Sequence, residues 1–133
     1  MFSKSQKEEI VRYWQEGAQE ALKTMNTLYS GKRYADCLFF GHLTLEKILK
    51  ASVSRETGAH APYTHNLTHL ATLSNIEFDQ GQYDIIAKVN EFNMQARYPD
   101  AKLSFYRQCT KGYTDECYQP ITDLYKYICR KIK

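Results

Sequence analysis

Apolar residues recur every three or four positions almost from one end of the chain to the other, which is the period of an amphipathic α-helix. The first run sets Ile10, Trp14, Ala18, Ala21, Met25 and Leu28 on one stripe and predicts a helix over about residues 5–29. Glu8 and Arg12 form an i,i+4 pair away from that stripe. Gly31, in "SGKR", supplies the stop. A second run, over about residues 33–55, carries Ala35, Leu38, Phe39, His42, Leu45, Leu49 and Val53 along one side, with Leu43 and Glu46 beside them. A helix apolar over so much of its circumference belongs at the centre, with its own core on one side and a partner chain on the other.

Gly58 and Pro62 then mark a loop in "SRETGAHAPYTHN". A short helix follows over about residues 66–73, with Asn66 or Thr64 as its cap. Ile85, Ile86, Val89, Phe92 and Ala96 define another over about residues 82–96, and Pro99 ends it, because the residue before a proline leaves the α region. The last helix spans about residues 114–132, capped by Thr114, with Asp115 and Glu116 at its positive end. Its inward residues are Cys117, Ile121, Leu124, Ile128 and Ile132, and Pro120 either kinks it or delays its start. No period-two alternation is long enough for a sheet. The expected fold is all-α, an up-and-down bundle of four long helices plus one short helix, in a single domain over residues 1–133.

Composition changes this picture little. A chain of 133 residues with 43% hydrophobic and 25% charged residues can bury a core of its own. A net charge of +3 is too small to argue for nucleic acid without a basic stripe, and the basic end "KYICRKIK" suits the negative pole of a helix. Eleven tyrosines favour half-buried grooves and interfaces. The four cysteines, Cys37, Cys109, Cys117 and Cys129, form no C-x-x-C pair. No apolar run approaches the length of a membrane span, and "MFSKSQKEEIVRYW" is too charged for a signal peptide. The cysteines therefore read as reduced thiols, and the expected location is the cytoplasm.

Three stretches in order carry a family likeness: "HLTLEKILKA" from His42 to Ala51, "PYTHNLTHL" from Pro62 to Leu70, and "FNMQARYPDAKLSFYRQC" from Phe92 to Cys109. Together with Tyr13, Trp14 and Ala18 near the start, they resemble the HEPN domain over nearly the whole chain. The resemblance implies a cytoplasmic helical bundle that forms a homodimer and is encoded beside a minimal nucleotidyltransferase. Such a pair is thought to act as a toxin–antitoxin or nucleotide-transfer system. Many members are metal-independent ribonucleases, marked by an arginine followed four to six residues later by a histidine. The histidine moves a proton and the arginine holds the phosphate. In this chain the arginine of the matching region is Arg97, and no histidine follows it; His69 is the last. Arg55 and His60 satisfy the spacing, but in the loop after the second helix.

The expected activity is accordingly a non-catalytic module that partners the nucleotidyltransferase and binds a nucleotide, or RNA, with no cofactor of its own. The alternative is a ribonuclease using Arg55 and His60. Arg97 has two readings: a cation at a helix C-terminus, or a fork for phosphate oxygens. Lys102, Arg107 and Lys111 add charge downstream, and Tyr98 and Tyr106 offer faces to a base. Glu46, on the apolar side of its helix, needs a partner, and His42, Lys50 and Arg97 are the candidates. In the functional reading Glu46 positions Arg97, with Lys50 one turn on. His65 and His69 stand four apart, a spacing that ligates metals, yet there is no H-E-x-x-H glutamate and no third ligand nearer than His60. His65 is instead expected to satisfy the backbone of the "YTHN" turn.

Overall fold

The computed structural model describes residues 2–132, the side chain of Asp100 apart. Among these residues six helices and no strand occur: α1 (Lys4–Ser30), α2 (Tyr34–Thr57), α3 (Leu67–Ser74), α4 (Gln80–Arg97), α5 (Pro99–Gln108) and α6 (Lys111–Lys131). The chain is a helical bundle with one helix more than the hydrophobic pattern predicts. No helix is long and apolar enough to cross a membrane among the described residues.

The centre of the bundle is α2, as its pattern predicts. Leu38, Leu45, Leu49 and Val53 are buried, and so are Cys37, Ile48 and Ala51 from the rest of its circumference. Helix α1 packs along one side of it through Val11, Ala18, Ala21 and Met25, while Trp14 and Leu28 are partly buried. On another side lies α6, inward through Cys117, Ile121, Leu124 and Ile128. The three helices meet at Gly41, where an added Cβ would stand 2.9 Å from Ile121 Cδ1 and 3.3 Å from Met25 Sδ. Glycine is required there for close approach, not for an unusual backbone.

Local signals set the helix ends. Ser3 and Gln6 form a capping box at the start of α1, and Asp79 and Gln82 form another at α4, so α4 begins two residues before the predicted start. Gly58 closes α2 in the left-handed conformation at φ 67°. At the end of α1, Gly31 is the C-cap, but Lys32 rather than the glycine takes positive φ.

Two expectations need correction. The segment after Pro99, where the hydrophobic pattern predicts no helix, is helical. Tyr98 alone is extended, at φ −93° and ψ 128°, and Pro99 opens α5 as its first residue. Proline ends one helix and starts the next for one reason: it bars the α conformation behind it, while its own fixed φ and missing N–H suit a first turn. The second correction concerns α6, which starts at Lys111 with Thr110 as cap, donated to by the Tyr113 N–H at 3.2 Å. Thr114 is buried inside the helix, and Pro120 lies in its interior without delaying its start. Pro120 forfeits one backbone bond, and the packing of Cys117, Ile121 and Leu124 on either side keeps the helix continuous.

Candidate functional site

The stripe Phe39, His42, Glu46, Lys50 follows one face of α2 at helical spacing and collects the polar chemistry of the fold. Glu46 and Lys50 are both buried, their side chains 6% exposed, and Lys50 Nζ donates to Glu46 Oε2 at 3.2 Å. Lys50 Nζ also sits 5.1 Å from the centre of the Trp14 ring on α1, a cation–π contact that closes the pair off from solvent. The other carboxylate oxygen of Glu46 accepts from His65 Nδ1 at 2.9 Å. Glu46 thus finds the partner that burial demands in Lys50, one of the three candidates, and in His65, which lies in the loop before α3.

His42 completes the cluster from below. Its Nε2 donates to the His65 carbonyl oxygen at 3.1 Å, which fixes that turn against α2. Its Nδ1 has no hydrogen-bond partner and faces Glu46 Oε1 across 3.8 Å. Burial lowers the His42 pKa to about 4, outweighing the upward pull of the Glu46 carboxylate and of the bond to the His65 carbonyl; the His65 and Arg97 side chains add smaller lowering. At neutral pH the 3.8 Å contact is therefore two acceptors side by side, not an ion pair.

Arg97 does not join Glu46. Its Nε donates to Asn93 Oδ1 at 2.6 Å, one turn back on α4, and its guanidinium lies 5.5 Å from the centre of the Phe39 ring. Phe39 in turn lines a groove of about 220 Å³ together with Ala35, Asp36, Ala96, Lys102, Phe105 and Tyr106. Lys102 lines this groove directly, whereas Arg97 reaches it through Phe39, whose ring forms part of the wall. Tyr98 and Tyr106 are each about three-fifths exposed beside it. Of the residues proposed from sequence, Lys102 lines the groove, Arg97 lies on Phe39 in its wall, and Tyr98 follows Arg97 in the chain as an exposed side chain. The structure puts Glu46 two turns along α2 from Phe39, and it withdraws Lys50 from any ligand under Trp14. Asn93, not Glu46, positions Arg97. The reason is geometric: Asn93 is an i,i+4 neighbour on the same helix, while each oxygen of Glu46 already accepts from Lys50 or His65.

Neither Asn93, although it stands at i,i+4 spacing from Arg97, nor His65 as a partner of Glu46 is among the candidates drawn from sequence. Nineteen residues of helix and loop separate His65 from Glu46, and no periodicity reports a contact across a loop. The His65–His69 spacing is not helical, because α3 begins only at Leu67 and Asn66 is its cap, accepting from the His69 N–H at 3.1 Å. Among the described residues no three His, Cys, Asp or Glu side chains are grouped to hold a metal. Arg55 and His60 line different grooves. Arg55 sits with Glu56, Asn75 and Lys131, and its Nε is buried without a partner; His60 packs edge-on to Phe2, ring centres 4.6 Å apart.

Buried ion pair, capped turn and helix-end arginine fall in the three stretches that resemble the HEPN domain, and the HEPN domain family profile matches residues 11–132. The chain belongs to the HEPN domain family. Among solved structures it is similar in fold to TT1696 from Thermus thermophilus, with a TM-score of 0.78 at 18% sequence identity, covering 91% of this chain and 97% of that one. No curated protein matches the sequence.

Proposed function

We propose that this chain is a nucleotide-binding HEPN module that works as a homodimer beside a separate minimal nucleotidyltransferase and has no nuclease chemistry of its own. The observation that carries the reading is the setting of Arg97: its guanidinium is held by Asn93 and laid on Phe39, at the edge of the groove that Lys102 also borders. A guanidinium fixed in this way loses little freedom on binding a phosphate, and a lysine across the opening adds a second cation. Tyr106 lines the same groove and Tyr98 is exposed one residue beyond Arg97, so both flank the proposed phosphate site. The nucleotidyltransferase partner and the homodimer are carried over from the family likeness.

Calorimetry with ATP tests the site. Wild type binds, and Arg97→Ala weakens binding about tenfold to a hundredfold, the range for one charge-assisted hydrogen bond. Equal affinity in Arg97→Ala removes Arg97 from the site. Light scattering on the isolated protein reads the dimer, and co-purification with a nucleotidyltransferase encoded beside it reads the partner. Incubation with total RNA in the absence of added metal reads the ribonuclease alternative: cleavage that disappears in His60→Ala overturns the non-catalytic reading.

A further inference from the structure

Arg97 and His65 stand at the two ends of one stretch shared by α2 and α4. Along α2, Phe39 lies under Arg97 and Glu46 lies under His65. Along α4, Arg97 is bonded to Asn93, while Asn90 Oδ1 accepts from the Leu67 N–H at 2.7 Å and Asn90 Nδ2 reaches Asn66 Oδ1 at 3.4 Å, next to His65. Phe39 to Glu46 and Asn90 to Arg97 are each seven residues. At 1.5 Å rise per residue, both measure a separation of roughly 10 Å. Two helices running in opposite senses thus agree on the span. It is of the order of the distance from the terminal phosphate of a nucleoside triphosphate to its ribose hydroxyls.

His65 is built for a particular contact. Its Nδ1 must donate, because the Glu46 carboxylate, already bonded to Lys50, can only accept. Nε2 is left free on a side chain that is 43% exposed. With Nδ1 and the main-chain carbonyl both tied down, the ring is held in one orientation from a buried anchor. A hydroxyl pairs with Nε2 in either protonation state of the ring, since it both accepts and donates. A phosphate is better placed at the other end, where Arg97 and Lys102 outnumber Asp36, than beside the Glu46 carboxylate. Tyr63, 99% exposed, stands beyond His65 with ring centres 6.3 Å apart and leaves a face open for a base.

We propose that His65, oriented by Glu46, hydrogen-bonds a ribose hydroxyl of a nucleoside triphosphate whose phosphates lie on Arg97 and Lys102, and so selects ribonucleotides over their deoxy counterparts. The inference rests on the nucleotide reading above. The test is calorimetry with ATP, 2′-deoxy-ATP and 3′-deoxy-ATP on wild type, His65→Ala and His65→Gln. Wild type binds ATP about tenfold more tightly than one of the two deoxy analogues, the effect of one hydrogen bond. His65→Ala binds ATP no better than that analogue and keeps the analogue's affinity within about twofold. This readout separates a lost contact from a lost fold, because a misfolded variant loses both ligands. His65→Gln, which keeps a hydrogen-bonding tip, restores part of the preference. Equal binding of all three nucleotides by wild type, or a preference that persists in His65→Ala and His65→Gln, overturns the role of His65 while leaving nucleotide binding intact. No binding of any of the three overturns the nucleotide reading and this inference together.

Discussion

Removing the carboxylate of Glu46 tests the central cluster most directly. In Glu46→Met the side chain keeps its approximate length and apolar stem, but Lys50 loses its only anionic partner among the described residues. The His65 imidazole also loses an acceptor, yet its side chain is 43% exposed and water replaces the bond at little cost. Lys50 has no such recourse: its side chain is 6% exposed and its ammonium faces the Trp14 ring. Breaking a buried pair by deleting one member costs about 3–5 kcal/mol, mostly the penalty of the charge left behind. Against a total stability of about 5–15 kcal/mol for a small domain, that is a large fraction. With a urea slope of about 2 kcal/mol/M, the unfolding midpoint falls by about 2 M. Adding Lys50→Met to the same chain removes the stranded charge and returns most of the loss. Equilibrium urea unfolding of the three proteins decides the matter. A loss below about 1 kcal/mol in Glu46→Met, or a double variant less stable than the single one, refutes the assignment of a buried, interdependent pair.

Three further outcomes follow from the packing. His42 is held neutral, its pKa lowered from 6.5 to about 4, so the unfolded chain binds a proton that the folded chain does not. Stability contributed by His42 is complete above pH 6.5 and is lost as pH falls from there toward 4, by about 3 kcal/mol in all. Urea midpoints across that window fall steeply for wild type and less steeply for His42→Gln; parallel curves would show that His42 is not the group responsible. Gly41→Val drives a branched side chain into Ile121 and Met25, whose nearest atoms are already 2.9 and 3.3 Å from a single added Cβ. It lowers stability by about 1–3 kcal/mol, read as a drop in Tm, and an unchanged Tm contradicts the close approach of the three helices. Burial pushes the Cys37 and Cys109 thiols up to about 12, and Cys117 is buried too, so in native protein a thiol reagent labels the partly exposed Cys129 first, and labelling of all four at one rate contradicts the packing.

How much of this was legible in the sequence differs from element to element. The burial of α2 and its central place follow from a run of apolar residues too wide for one stripe. The stripe of α1 follows from Ala18, Ala21 and Met25, although Val11 replaces Ile10 as the buried residue of its first turns. Helix α5 escaped because its hydrophobic signal is nearly absent: of Leu103, Phe105 and Tyr106, only Phe105 is buried. A helix that touches the core through one ring shows no period, and its proline reads as a break unless the first-turn preference is weighed. At the site, the need of Glu46 for a partner was legible from its place on an apolar face, and Lys50 from the i,i+4 spacing. His65 was not, because a loop of undetermined path brings it back over α2. The same limit applies to Arg97, whose distance from Glu46 depends on where α4 lies along α2.

The buried cluster raises a question that the fold alone does not answer, namely why it is polar at all. The segment between Gly58 and Leu67 has few apolar anchors. It is fixed mainly by hydrogen bonds: His42 to the His65 carbonyl, His65 to Glu46, and the Leu67 N–H to Asn90. If holding this turn were the whole purpose, an apolar cluster of the same volume would serve as well or better, since buried ion pairs rarely exceed hydrophobic replacements in stability. Glu46 and Lys50, however, are inside while His65 is nearly half outside, which on the proposal above makes the buried charge an orienter of an exposed ring. The triple variant Glu46→Met, Lys50→Met, His65→Leu separates the two purposes. It retains most of the wild-type stability in urea, because no charge is stranded, and it loses the preference for ribonucleotides, because the oriented ring is gone. A triple variant that keeps that preference would show that the cluster serves only the fold.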